Sequence, residues 1–275
     1  MHILERFNQS SKETIKIPRL DTIPMYPAWV LAYGLSHTRC KPEWLVIIGF
    51  LLSLISCAFL PLADNTTARW LIVACLGAII ILDCADGRLA RMTGQIRAVG
   101  GLGDLASDYI HNVLWHSVIA MVLIQQGIPA FSTIGLSALG FLGAVFGATL
   151  YSYFNFCRRN PGLTYQSFIN ALPADTHAHK NMHIYKPLAF IHTLGWGLIA
   201  HMMLKVPAIK TVQPTEINMQ FLAVNAAGSN IMIAMIVLGA NLPLEMYLYT
   251  EAVFCIASFL WVVTVPPLRH KKAAG

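Results

Sequence analysis

Residues 83–108 read DCADGRLARMTGQIRAVGGLGDLASD and contain four aspartates, namely Asp83, Asp86, Asp104 and Asp108. At about 100° of rotation per residue, the first two aspartates, Asp83 and Asp86, share a helical face with Gly87 and Ala90. The second pair forms a stripe with Gly100 on a following helix. Four converging carboxylates repel one another unless cations or protons neutralise them. Hard oxygen ligands at this density favour Mg²⁺ or Mn²⁺, with Ca²⁺ as a further option.

The two glycines indicate what such a cation would hold. Gly87 and Gly100 have no side chain, so a bulky polyphosphate ligand can approach the backbone between the carboxylate pairs. The alternative is that the acids are solvated at a helix end, or pair with Arg88, Arg91 and Arg97. Four acids on aligned faces, with a glycine one turn from a member of each pair, favour a site for a metal-bound diphosphate.

The composition around this motif predicts an all-α integral membrane protein. The chain has 275 residues, of which 56% are hydrophobic and only 12% are charged. A soluble domain of this composition would expose too much apolar surface. The net charge of +6 suits anionic lipid headgroups and nucleotide diphosphates in this setting, and we expect no nucleic-acid partner.

The apolar runs predict a bundle of six transmembrane helices, or alternatively seven. Residues 44–62 form the first span, and residues 70–82 begin a second that runs into the aspartate motif and breaks near Gly94. Residues 109–157 contain no charged side chain, and the turn residues 125–129 divide them into a third and a fourth span. Three later candidates lie at 187–204, 218–240 and 246–265.

Basic residues indicate the orientation of the bundle. Residues 1–43 contain six Lys and Arg, residues 88–103 contain three, and residues 157–186 contain four, whereas the loops at 63–69 and 126–130 contain only Arg69. By the positive-inside rule, the aspartates face the cytoplasm from the inner, or cytoplasmic, membrane. We expect a cytoplasmic segment at 1–43 with an amphipathic interfacial helix over 21–35, a membrane domain at 44–265 and a basic tail at 266–275.

The spacing of the motif resembles the signature of the CDP-alcohol phosphotransferase family, D-x2-D-G-x2-A-R-x8-G-x3-D-x3-D. Every fixed position is matched, by Asp83, Asp86, Gly87, Ala90, Arg91, Gly100, Asp104 and Asp108. The resemblance implies a six-helix, usually dimeric membrane fold. It implies that Asp83, Asp86 and Asp104 bind two divalent ions, Mg²⁺ or Mn²⁺, with Asp108 as a further ligand and general base.

The resemblance also implies the reaction. A phosphoalcohol group would pass from a CDP-linked donor to a hydroxyl acceptor, with release of CMP, in phospholipid biosynthesis. Gly87, Ala90 and Gly100 would accommodate the donor nucleotide, and Arg91 would contact phosphate. We expect CDP-diacylglycerol as donor and a small alcohol as acceptor. The alternative is transfer from a soluble CDP-aminoalcohol, or another CDP-linked donor, to diacylglycerol.

One segment departs from the family pattern. Many members have a Pro-Asn-x-x-Thr-like element at the start of the first span, where this chain has Pro42-Glu43-Trp44. The glutamate in place of the amide puts the nucleotide contacts of that segment in doubt, but it leaves the four aspartates intact.

Two other protein classes also use acidic membrane sites. UbiA-like prenyltransferases need a second aspartate-rich cluster, but Asp175 is the only aspartate after Asp108. A divalent-cation transporter would place its acids within the spans rather than at one membrane face beside arginines. Both classes are therefore weaker interpretations than the transferase.

The basic segment after the fourth span is a weaker signal. Arg158 and Arg159 could recognise an anionic substrate group, or they could simply be positive-inside residues. The histidines at 177, 179 and 183 fall in a loop, residues 175–183, where no cysteine completes a zinc ligand set.

Overall fold

The computed structural model describes residues 24–95, 98–159, 187, 190 and 227–264. These residues form helices and turns without any strand in the described ranges. The helices are α1 (Met25–Ser36), α2 (Pro42–Phe59), α3 (Thr66–Thr93), α4 (Ala98–Gln125), α5 (Ala130–Arg159), α6 (Ala227–Gly239) and α7 (Leu244–Thr264). A short 3-10 turn, Leu60–Leu62, follows α2. The predicted all-helical fold is confirmed for this part of the chain.

Helix α3 has a capping residue at each end. The side chain of Asn65 accepts hydrogen bonds from the backbone N–H groups of Thr67, at 2.9 Å, and Ala68, at 3.2 Å. Gly94 ends the helix with a φ of 70°, a left-handed conformation that glycine adopts without strain. At 1.5 Å per residue the 28-residue helix is about 42 Å long. It therefore exceeds the roughly 30 Å hydrocarbon core, and its end can reach the membrane surface.

Among the described residues, four helical segments are long and apolar enough to cross a bilayer, namely Pro42–Leu62, Thr66–Thr93, Ala130–Tyr151 and Leu244–Trp261. Asn230–Gly239 is apolar but shorter. The predicted third span corresponds to α4, which forms a helix but is not among the four, because polar side chains such as His111, Asn112 and His116 lower its mean hydropathy. The prediction of six or seven spans is therefore not settled. The candidate at 187–204 lies outside the described residues apart from 187 and 190.

The main core lies where α2, α3, α4, α6 and α7 meet. Its buried side chains include Ile72, Leu76, Trp115, Ile119 and Tyr247. Helix α2 packs against both α3 and α4, and α5 packs against α4 and α7. This arrangement holds the end of α3 and the beginning of α4, which carry the aspartates, at the same end of the bundle.

Helix α1 packs on α3 rather than standing apart. Ala28 and Ala32 are fully buried in a small cluster with Ala85 and Leu89 of α3. The opposite side of α1 exposes Tyr26 and Val30, so the exposed surface is apolar as well. The predicted interfacial helix over 21–35 thus corresponds to a helix over Met25–Ser36, and its position at the membrane interface is still a prediction.

Candidate metal centre

Three of the four predicted aspartates lie together. One carboxylate oxygen from each of Asp83, Asp104 and Asp108 falls within a group whose members are all within 4.8 Å of one another. Asp83 comes from the later part of α3, and the other two come from the early part of α4. The two predicted helix faces therefore converge.

This carboxylate cluster, Asp83 with Asp104 and Asp108, has the chemistry of a hard-cation site. Two unit charges about 4 Å apart repel by roughly 4 kcal/mol near a protein surface, so three ionised carboxylates need a cation or a shared proton. Asp83 is exposed and the other two are half-buried, so an ion from solution can reach them. Carboxylate oxygens from two helices fit Mg²⁺ or Mn²⁺.

Asp86 lies beside this cluster and not within it. Its side chain is 9% exposed, and it accepts a hydrogen bond from the backbone N–H of Gly87. It still lies close enough to interact electrostatically with Asp104 and Asp108. Three residues rotate a helix by about 300°, which turns Asp86 about 60° away from Asp83. Its role as a metal ligand is still a prediction.

Arg91 lies over Gly87. A Cβ atom added to Gly87 would be 3.2 Å from Nη1 of Arg91, which follows one turn later on α3. A phosphate that approaches the Gly87 backbone would therefore meet a guanidinium group, which can donate two parallel hydrogen bonds to phosphate oxygens. Ala90 is half-buried in the same part of α3. The donor-binding roles of these residues are consistent with this placement but are not tested by it.

The other predicted residues are placed less completely. Gly100 lies in the first turn of α4, and Arg158 and Arg159 end α5, but their side-chain surroundings fall outside the described residues. The loop at 175–183 is likewise outside them. Glu43, which departs from the family element, is half-buried in the first turn of α2, where an acidic side chain stabilises the helix N-terminus.

Helix α4 makes a set of polar contacts next to Asp108 for which the sequence alone indicates no role. His111 contacts the hydroxyl of Ser53 on α2 through its Nδ1 atom, and both side chains are buried. The side-chain amide of Asn112 donates to the backbone carbonyl of Asp108, at 2.9 Å. One signal was available: His111 follows Asp108 by three residues and so lies on the same side of the helix.

Comparison with known proteins agrees with the motif. No curated protein matches the chain at a significant level. Residues 39–166, which contain helices α2 to α5 and all eight patterned positions, match the model of the CDP-alcohol phosphatidyltransferase family. This is a family of transferases that use CDP-alcohol donors and alcohol acceptors. The predicted resemblance is therefore confirmed over residues 39–166, the segment that matches this family model.

Proposed function

We propose that this protein is a metal-dependent membrane transferase that moves a phosphoalcohol group, specifically a phosphatidyl group, from a CDP-linked donor to a hydroxyl acceptor. The donor in this proposal is CDP-diacylglycerol, the acceptor is a small alcohol, and the products are a phospholipid and CMP. The observation that carries the proposal is the carboxylate cluster, since it lies within the segment that matches the family.

The ligands in this proposal are Asp83, Asp86, Asp104 and Asp108, holding two divalent ions, Mg²⁺ or Mn²⁺. When bound, these ions would supply positive charge that offsets the donor diphosphate and the departing CMP. The exposed position of Asp83 supports access for a ligand as large as a diphosphate. The guanidinium of Arg91, which lies over the Gly87 backbone, would orient a phosphate of the donor.

Asp108 is the general base in this proposal. Its carboxylate takes the proton of the acceptor hydroxyl as the hydroxyl oxygen attacks the phosphorus next to the alcohol. The new P–O bond forms as the P–O bond to CMP breaks, in line with the attack. The hydrogen bond from Asn112 to the Asp108 carbonyl supports the turn that presents this carboxylate.

The membrane setting and the assembly complete the proposal. The cluster faces the cytoplasm from the inner membrane, and the enzyme acts as a homodimer in phospholipid synthesis. The four bilayer-length helices of the described part of the chain, and the location of the aspartates in the later part of α3 and the early part of α4, support this setting. A transporter would instead require carboxylates near the middle of the spans.

The test is a donor and acceptor panel with purified protein in detergent micelles. CDP-diacylglycerol with small alcohols, and CDP-choline with diacylglycerol, are incubated with Mg²⁺ or Mn²⁺, and CMP release is measured. We expect CMP with CDP-diacylglycerol and one class of small alcohol. CMP formed only from CDP-choline and diacylglycerol would reverse the donor assignment, and no CMP in any mixture would remove the proposed activity.

A further inference from the structure

Helix α2 is the common neighbour of the two helices that carry the carboxylate cluster. It packs extensively against α3 and against α4. Among the described residues, α3 and α4 make far fewer direct contacts with each other than each makes with α2. The spacing between Asp83 on α3 and Asp104 or Asp108 on α4 therefore depends on how each helix sits against α2.

One polar contact joins α2 to α4 close to the cluster. The Ser53 hydroxyl and Nδ1 of His111 form a hydrogen bond, and the two side chains are 1% and 6% exposed. The His111 ring also stacks on Trp115, with ring centroids 5.9 Å apart. Because a polar group buried between membrane helices needs a partner, sliding or rotation of α4 along α2 would leave both groups unpaired.

The contact lies one turn from the proposed base. His111 follows Asp108 by three residues, on the same side of α4. In that turn Asn112 donates to the Asp108 backbone carbonyl, so the turn has little freedom to move independently of the helix. A shift in the position of His111 would therefore also move Asp108.

We propose that the hydrogen bond between Ser53 and His111 is a positioning contact that fixes α4 against α2 and so sets the distance of Asp104 and Asp108 from Asp83. Neither side chain touches the substrate in this proposal. The inference rests on the proposed function in one respect, since it takes the carboxylate cluster to be the divalent-ion site.

The chain offers matched controls for both residues. Ser56 lies on the same helix and is fully buried, but its hydroxyl donates to the backbone carbonyl of Ser53, at 2.8 Å, and so makes no bond to α4. His116 lies on the same helix as His111, and its Nδ1 bonds only to the local carbonyl of Asn112, at 2.9 Å. Substitutions at Ser56 and His116 thus remove similar atoms without breaking the bond between α2 and α4.

The experiment measures Mn²⁺ affinity by the electron paramagnetic resonance signal of free Mn²⁺, with the thermal midpoint of metal-free protein as the folding check. We expect Ser53→Ala to weaken Mn²⁺ binding by about tenfold, a typical loss when a group supporting metal ligands is removed, and Ser56→Ala to change it by less than about twofold. Because an asparagine amide lies near the position of Nδ1, His111→Asn should retain binding that His111→Leu loses. His116→Asn should bind Mn²⁺ as the wild type does.

Several results separate the two proposals. Unchanged Mn²⁺ affinity in Ser53→Ala, or equal losses in Ser53→Ala and Ser56→Ala, would overturn the positioning role alone. Should Ser53→Ala fail to fold, equal binding by His111→Asn and His111→Leu would overturn it instead. A wild-type protein that binds Mn²⁺ but releases no CMP would overturn the proposed function alone, and one that binds no Mn²⁺ would overturn both.

Discussion

Asp83 of α3 and Asp104 of α4 belong to different helices, yet a carboxylate oxygen of one lies within 4.8 Å of a carboxylate oxygen of the other. Two ionised carboxylates at this separation repel each other, so the contact marks a place where negative charge must be neutralised. A divalent ion would do this without a proton, and Asp108 would belong to the same ligand set.

The first prediction concerns the stability of the cluster with and without metal. Asp104→Asn removes one of three mutually repelling charges, so we expect a higher thermal midpoint than wild type in metal-free buffer at neutral pH. In saturating Mn²⁺ the wild type should have the higher thermal midpoint. At a Mn²⁺ concentration 100 times the dissociation constant, binding stabilises the folded wild type by about 2.7 kcal/mol, and the variant, which binds more weakly, is stabilised much less. Thermal unfolding with and without Mn²⁺ measures both effects. The same order in both buffers would contradict an ion site here.

The second prediction concerns Asp108 as the base. Asp108→Asn cannot accept the acceptor proton, so turnover should fall by about 10² to 10⁴-fold, while the donor still binds. CMP release gives the turnover, and equilibrium binding of radiolabelled donor in the presence of Mn²⁺ gives the affinity. Asp64→Asn, at the exposed turn before α3, is the matched control and should leave both quantities unchanged. Turnover by Asp108→Asn at the wild-type rate would exclude Asp108 as the base.

The third prediction separates the fold from donor binding at Gly87. The methyl group of Gly87→Ala would lie 3.2 Å from the end of the flexible Arg91 side chain, which can move aside. Alanine also favours the helix by up to about 1 kcal/mol, so the thermal midpoint should not fall. The KM for the donor should rise, since the methyl group narrows the approach to the backbone. A donor KM equal to that of wild type would argue against phosphate contact at Gly87.

The fourth prediction concerns the close packing of α5 on α7. A Cβ atom at Gly143 would lie 2.5 Å from Cβ of Cys255, closer than side-chain carbons approach. Gly143→Ala should therefore push the helices apart and lower the free energy of unfolding by about 1 to 3 kcal/mol. Gly135→Ala on the same helix meets nothing within 4 Å and serves as the control. Unfolding in a denaturing detergent measures both variants, and equal stability would show that the helices do not pack this closely.

Much of the local structure follows from short-range chemistry. The apolar runs predict helices close to those observed for α2, α5 and α7. The polar turn after Gln125 separates α4 from α5, and Gly94 ends α3 as expected. The same reasoning did not predict that α4 would be less apolar than the neighbouring spans, because its side chains His111 and His116 are buried in the protein interior, where polar groups can find partners.

The spacing of the aspartates by itself predicted the family match over residues 39–166 and a hard-cation site, because helical periodicity places each pair on one face and hard oxygen donors select hard cations. Only the tertiary structure decided which carboxylates meet. Asp83 lies within the same carboxylate cluster as Asp104 and Asp108, whereas Asp86 lies beside this cluster. Ser53 on α2 is the hydrogen-bond partner of His111. These relationships depend on the packing of α3 and α4 against a third helix, and the periodicity of one helix contains no information about its register with another.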